Sequence, residues 1–147
     1  MRIALATLVS AAFCASAFAD DVTYRKNIQP LVKDQCEACH GAQAPTLAEF
    51  LADEDKYKKA RMGPRLVSYN DVIALVGWPD SGALMRRLDD GAAAGGKPGN
   101  MFTYLGDSPD ERKARLALFK AWVGEGGWNL NRWKQRGDVP GITKEEL

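Results

Sequence analysis

The chain has 147 residues, 46% of them apolar and 27% charged, the balance of a single globular domain and not of a disordered or fibrous chain. Lys and Arg together number 20 against 19 for Asp and Glu, so no charge excess exists to hold a polyanion by counterion release, and nucleic acid is not an expected partner. No apolar run reaches the roughly 20 residues of a membrane-spanning helix.

The N-terminus opens on Met1-Arg2, continues uncharged from Ile3 to Phe18, and closes on Ala17-Phe18-Ala19 ahead of Asp20 and Asp21. A positive start, an apolar middle and small residues at minus three and minus one form a secretory signal, with cleavage expected after Ala19. Residues 1–19 are therefore expected to be a signal peptide and residues 20–147 one domain in the periplasm, with no transmembrane anchor after cleavage. A retained anchor competes with this reading, but the apolar stretch is too short for the bilayer core. A lipid anchor on Cys14 is opposed by bulky Phe13 directly before it and by the cleavage site downstream. Loss of Arg2 and Cys14 leaves acidic and basic side chains balanced, and Cys36 and Cys39 as the remaining cysteines.

Tyr24, Ile28, Leu31 and Val32 recur at the spacing of one apolar helical face. Pro30 lies inside that pattern and has no N–H to donate, so the spacing predicts either a kink there or a helix that begins near it. Thr46 and Glu49 form a capping box ahead of a helix predicted to run to about Ala60, its second half a charged, solvated face. Ser68 caps a short helix carrying Val72, Ile73, Leu75 and Val76, ended by Gly77 and Pro79. Asp80-Ser81 restarts the chain into a helix with Leu84, Met85 and Leu88 on one face and Gly91 as its stop. Gly91 to Gly106 is Gly-rich and reads as a loop. Ser108-Pro109-Asp110-Glu111 is a helix start with an N-cap serine, proline at the first position and acidic residues on the positive end of the dipole. That helix is predicted to reach about Val123, with Leu116, Phe119, Trp122 and Val123 as its buried stripe. An extension from about residue 128 adds Trp128, Trp133 and the basic residues Arg132, Lys134 and Arg136. It is read as a wrap-around segment whose tryptophans cover core, with partner docking as the competing role.

The chemistry is concentrated in Cys36-Glu37-Ala38-Cys39-His40, which reads C-x-x-C-H and contains the single histidine of the chain. In c-type haem attachment two thiols add across the porphyrin vinyl groups and the adjacent imidazole reaches the iron. Three other readings compete. Zinc needs four ligands, or three and a water, and Cys36, Cys39 and His40 exhaust the Cys and His supply of the mature chain. A thioredoxin-like dithiol needs a strand before it and a helix N-terminus to lower its thiol pKa, and no strand pattern precedes Cys36. Chance occurrence is the third.

A single histidine rules out bis-histidine ligation within the chain, leaving Met62, Met85, Met101, another group or an open sixth position. Met85 shares a helical face with Leu84 and Leu88, the usual setting of a core methionine. Met62 lies among charges that suggest exposure. Met101, at the end of the Gly-rich loop, is positioned to carry a thioether across a porphyrin face and is the preferred distal ligand.

The motif Cys36-Glu37-Ala38-Cys39-His40-Gly41, followed by a Met loop and a terminal helix, resembles the class I cytochromes c over most of residues 22–128. The resemblance implies a small all-α fold around one covalently attached haem c, with Cys36 and Cys39 as anchors and His40 and Met101 as axial ligands. It further implies that the first and last helices cross, with Ile28 and Leu31 meeting Phe119 and Trp122, and that the Pro45 carbonyl accepts the imidazole N–H. The family often has proline after the ligand methionine, where this chain has Phe102. The expected function is one-electron transfer between a redox donor and acceptor, and not catalysis. The alternatives are a haem enzyme or small-gas sensor with an open or labile sixth position, and a fixed relay subunit docked through its tail. Tyr69, Trp78, Phe102 and Tyr104 are candidates for the haem wall. The basic run Lys56, Lys58, Lys59, Arg61 and Arg65, flanked by Asp53, Glu54 and Asp55, is read as a solvated face before a steering patch for an acidic partner.

Overall fold

Thr23 starts the fold: its hydroxyl accepts the Lys26 N–H and caps a π-wound turn over Tyr24–Ile28. In this computed structural model, which describes residues 22–77, 82–92, 95–124 and 128, the turn runs directly into helix α1, Gln29–His40. Pro30 sits in the first turn of α1, where its missing N–H has no helical partner to lose. The apolar face predicted around Pro30 therefore belongs to two segments with different winding. Ile28, Leu31 and Val32 of that face are buried.

The helix predicted from Leu47 to about Ala60 is two helices, α2 over Leu47–Ala52 and α3 over Glu54–Lys59. Between them Asp53 leaves helical backbone at φ −149°, ψ 69°, and its carboxylate accepts the Lys56 N–H at 3.1 Å. An aspartate offers the backbone an acceptor that competes with helix continuation, so one residue closes α2 and caps α3. The capping box at Thr46 and Glu49 forms as predicted.

Helix α4, Tyr69–Ile73, carries its own box from Ser68 and Asp71. It ends before Leu75 and Val76, which continue in turns that still bury Leu75. Helix α5, Ala83–Leu88, buries Leu84, Met85 and Leu88 as their spacing predicts. Its predicted restart at Asp80-Ser81 lies outside the described residues, as do the signal segment, Trp78 and Trp133. The Gly-rich stretch contains a 3₁₀ turn over Phe102–Leu105. Helix α6, Pro109–Val123, starts on a full capping box between Ser108 and Glu111 and ends where it was predicted to end.

Phe119 of α6 and Ile28 of the π-wound turn are both 0% exposed and share one apolar core with Leu31, Leu105 and Leu116. The Tyr24 and Trp122 rings lie 5.8 Å apart on the same seam. The crossing implied for the first and last helices is thus made chiefly by the turn ahead of α1. The 3₁₀ turn packs against α1, α5 and α6 together. Among the described residues there is no strand, so the architecture is all-α, and no helix is long and apolar enough to cross a membrane.

Candidate haem site

The last turn of α1 brings Cys36, Cys39 and His40 together. A separation of three residues puts both cysteines on one helical face, and neither is in a disulfide. Burial, and then the neighbouring Cys39, push the Cys36 thiol up to about 11. A redox dithiol works the other way, with its thiol lowered by the positive end of a helix. Here the pair stands at the negative end of α1 and holds Cys36 as a neutral thiol, which counts against the thioredoxin-like reading. Among the described residues no cluster of three or more His, Cys, Asp or Glu is arranged to hold a metal ion, so the zinc reading gains no further donor.

The wall beside His40 comes from the chain after α3. Arg61 has φ 56°, a left-handed backbone that side chains seldom adopt. Its N–H donates to the Lys58 carbonyl at 3.0 Å and the Met62 N–H to the Tyr57 carbonyl at 2.9 Å, the paired bonds of a Schellman helix end. This reversal sends the chain back across the C-terminus of α1, whose last carbonyls need donors. The Gly63 N–H donates to the Cys39 carbonyl at 3.2 Å and the Leu66 N–H to the His40 carbonyl at 2.8 Å. Gly63 lies so close to the imidazole that a Cβ there would fall 2.0 Å from His40 Cε1.

Between those two bonds the Pro64 carbonyl lies 2.6 Å from His40 Nδ1. A carbonyl can only accept, so Nδ1 carries the proton and Nε2 keeps its lone pair. Burial lowers the imidazole pKa, opposed in part by the Pro64 bond, and the neutral ring is the form that ligates a metal. The expectation that Pro45 would accept this proton is corrected. The Pro45 carbonyl instead accepts the Arg65 N–H at 2.7 Å, so Pro45 secures the residue next to Pro64. Local sequence gave only a turn signal at Gly63-Pro64; which carbonyl faces the ring depends on a contact spanning 24 residues.

Of the methionines, Met85 is 2% exposed and fills core. Met62 is half-buried, not exposed as its charged neighbours suggested, and lines a cleft beside Cys39. It follows Arg61 in the turn that closes α3, its N–H bonded to the Tyr57 carbonyl at 2.9 Å. Met101 is half-buried against the core at the head of the 3₁₀ turn that packs on α1. Its N–H donates to the Arg87 carbonyl at 2.9 Å, and Arg87 Nη1 donates to Asn100 Oδ1 at 2.9 Å. The glycine-rich segment therefore presents Met101 from a tied backbone. Tyr69 and Tyr104 are 48% and 64% exposed, while Phe102 packs on the core.

A cleft of about 240 Å³ runs along α1 past Tyr24, Val32, Leu66 and Val67 to His40. Two free thiols on one face, a neutral imidazole held by one nitrogen and a cleft whose Tyr24, Val32, Leu66 and Val67 are joined by the polar Gln29, Lys33 and Glu37 fit a covalently attached haem. This donor set on an all-helical chain defines a monohaem c-type cytochrome. Residues 23–147 match the PccH cytochrome c family, and the chain belongs to it. It is similar to the solved monohaem cytochrome PccH from Geobacter sulfurreducens, with 48% identity, a TM-score of 0.70, and coverage of 86% of this chain and 93% of that one. No curated protein matches. The family carries one covalently attached haem c and acts as a haem electron carrier.

Proposed function

We propose that the chain is secreted to the periplasm, loses its signal peptide after Ala19, and shuttles single electrons between a donor and an acceptor protein without catalysing a reaction of its own. In this reading Cys36 and Cys39 anchor the haem, His40 is the proximal ligand and Met101 the distal one. The observation that carries it is the His40–Pro64 bond, 2.6 Å long, which leaves Nε2 as the free donor and fixes the ring plane. The secreted start rests on the sequence: Arg2, the uncharged stretch from Ile3 to Phe18, and Ala17-Phe18-Ala19 ahead of Asp20.

Bound haem supplies an iron that changes oxidation state with little rearrangement when imidazole and thioether hold it. The chain's residues keep that ligand set constant. Pro64 prevents rotation of His40 and raises its basicity, Gly63 allows the loop to reach the ring, and the Arg87 carbonyl holds the backbone of Met101. The basic run is read as a solvated face, with Lys58 paired to Glu54 at 2.5 Å and Arg65 lying 3.7 Å from Asp71.

Ferric and ferrous absorption spectra of the matured holoprotein test the ligand set. The wild type should show the weak long-wavelength ferric band of thioether–iron ligation, and Met101→Ala should lose it. A wild type without the band that binds carbon monoxide readily would overturn the carrier reading in favour of an open-site sensor or enzyme. Cell fractionation with N-terminal sequencing checks location, and a mature protein beginning at Asp20 is expected.

A further inference from the structure

The loop that carries Met101 closes on a buried carboxylate. Asp89, at the end of α5, is 0% exposed and is the buried charged side chain among the described residues. Its Oδ2 accepts the Gly91 N–H at 2.8 Å. Its Oδ1 accepts the Trp128 indole N–H at 3.4 Å and lies 4.0 Å from Lys120 Nζ. Its main-chain carbonyl accepts the Gly99 N–H at 2.9 Å, two residues from the Arg87 carbonyl that takes the Met101 N–H. Gly91 has φ +82°, and a Cβ there would meet the Lys97–Pro98 backbone at 2.6 Å. The outgoing and returning arms of the loop therefore touch at the residue whose N–H Asp89 holds. Lys120 of α6 also lies over the Trp128 ring, 5.8 Å from its centroid.

Holding α5 in the core does not require this residue, because Leu84, Met85 and Leu88 already do so with apolar surface. A buried carboxylate is costly unless its oxygens are bonded. Asp89 directs its two oxygens to the start of the loop and to Trp128, and its carbonyl to the end of the loop. An apolar side chain of similar volume would fill the space and leave the Gly91 and Trp128 donors without an acceptor.

We propose that Asp89 is a positioning residue for the distal thioether: with Trp128 it fixes the register in which the loop presents Met101 to the iron, and so sets how readily Met101 leaves it. The proposal rests on Met101 being the sixth ligand. Residues 89, 91, 99 and 128 act as one clasp.

Imidazole titration of the ferric holoprotein reads the clasp, because added imidazole binds only while Met101 is off the iron and its apparent affinity scales with that fraction. Asp89→Ala should raise the affinity about tenfold, the effect of one lost charged hydrogen bond. Trp128→Phe should raise it severalfold, and Asp89→Asn, which keeps one side-chain acceptor, should fall between wild type and Asp89→Ala. Amide exchange at Gly99 and Met101 should speed up while α6 protection and the helical circular dichroism stay at wild-type values. If Asp89→Ala does not fold, Trp128→Phe carries the test. Unchanged imidazole affinity in the folded variants overturns the proposal. So does a rise that appears only together with lost α6 protection, which is plain destabilisation. Met101→Ala separates the two levels. If it binds imidazole no more tightly than wild type, Met101 is not the ligand and both readings fall; if it binds more tightly while the Asp89 and Trp128 variants do not, only the clasp falls.

Discussion

The wall beside His40 and the loop that carries Met101 are built by opposite strategies. Beside His40, the last turn of α1 meets a single returning segment, and three backbone-mediated contacts from Gly63, Pro64 and Leu66 complete the wall. The Met101 loop also has backbone bonds, at Gly96, Gly99 and Met101, but it is joined to its start and to Trp128 by a side-chain acceptor, the Asp89 carboxylate, with Lys120 of α6 beside it. Backbone bonds tolerate side-chain replacement, whereas a side-chain clasp fails with one substitution. The His40 side should therefore respond to changes in space and backbone conformation, and the Met101 side to changes in polar chemistry.

A change that both regions share supplies the baseline. Phe119→Ala empties a fully buried position between α6 and the π-wound turn and should cost about 3–5 kcal/mol of folding stability. In a denaturant titration the thioether band and the helical signal should disappear together, since neither wall is touched selectively. Separate midpoints for the two signals would show that the Met101 loop detaches on its own even without a defect in the clasp.

Gly63→Ala strikes one wall alone. Its methyl would stand 2.0 Å from His40 Cε1, so the ring or the 60–66 segment must shift, at a cost of about 1–3 kcal/mol, the usual range for overpacking. The reduction potential should move and the melting temperature fall, with the thioether band kept. Loss of the band in this variant would mean that the two walls are coupled and that the contrast between them is false.

Arg61→Gly tests the same wall in the opposite direction. Glycine adopts φ 56° without the Cβ penalty that Arg61 bears there, so the substitution should stabilise the holoprotein by about 0.5–1 kcal/mol. Thermal melts read the gain. The imidazole affinity of the ferric iron should stay unchanged, because the Schellman turn lies on the His40 side.

Legibility in the sequence follows the range of the interaction. The boxes at Thr46, Ser68 and Ser108 each form between residues three apart; the first is legible as a box, and the other two as N-cap serines whose acidic partners Asp71 and Glu111 complete the box in the structure. The C-x-x-C-H turn and the buried face of α5 are equally local; of the stripe expected on α6, Leu116 and Phe119 are buried while Trp122 and Val123 pack only partly buried at its edge. The division of the 47–60 segment turned on Asp53 serving as a cap where helical periodicity masked it. Pro64 replaced Pro45 because a non-glycine residue took the left-handed position at 61, which residue type argues against. Asp89 drew no reading in the sequence, and nothing nearby signals that Trp128, 39 residues away, donates to it. What was missed in each wall is the contact that closes it over distance.

The smallest effect belongs to the start of α6, where Arg112 and Arg115 hold the Gly106 and Leu105 carbonyls at the far end of the 3₁₀ turn from Met101. Glu111 Oε2 accepts the Asp107 N–H at 2.9 Å and the Ser108 N–H at 3.1 Å. These backbone bonds, the Ser108 one first, lower its pKa below the ordinary 4.5. A carboxyl lowered on folding contributes stability that is fully present above its unfolded value and is lost as pH falls through its folded value. Wild type should therefore exceed Glu111→Ala in stability by a constant margin above about pH 5, and the two curves should converge below it. Glu111→Gln keeps an acceptor without the titrating proton, so its difference from Glu111→Ala should stay flat with pH. Urea melts at a series of pH values measure all three. Convergence without any change in the thioether band would place the acid sensitivity in the helix cap and leave both haem-facing walls as they are at neutral pH.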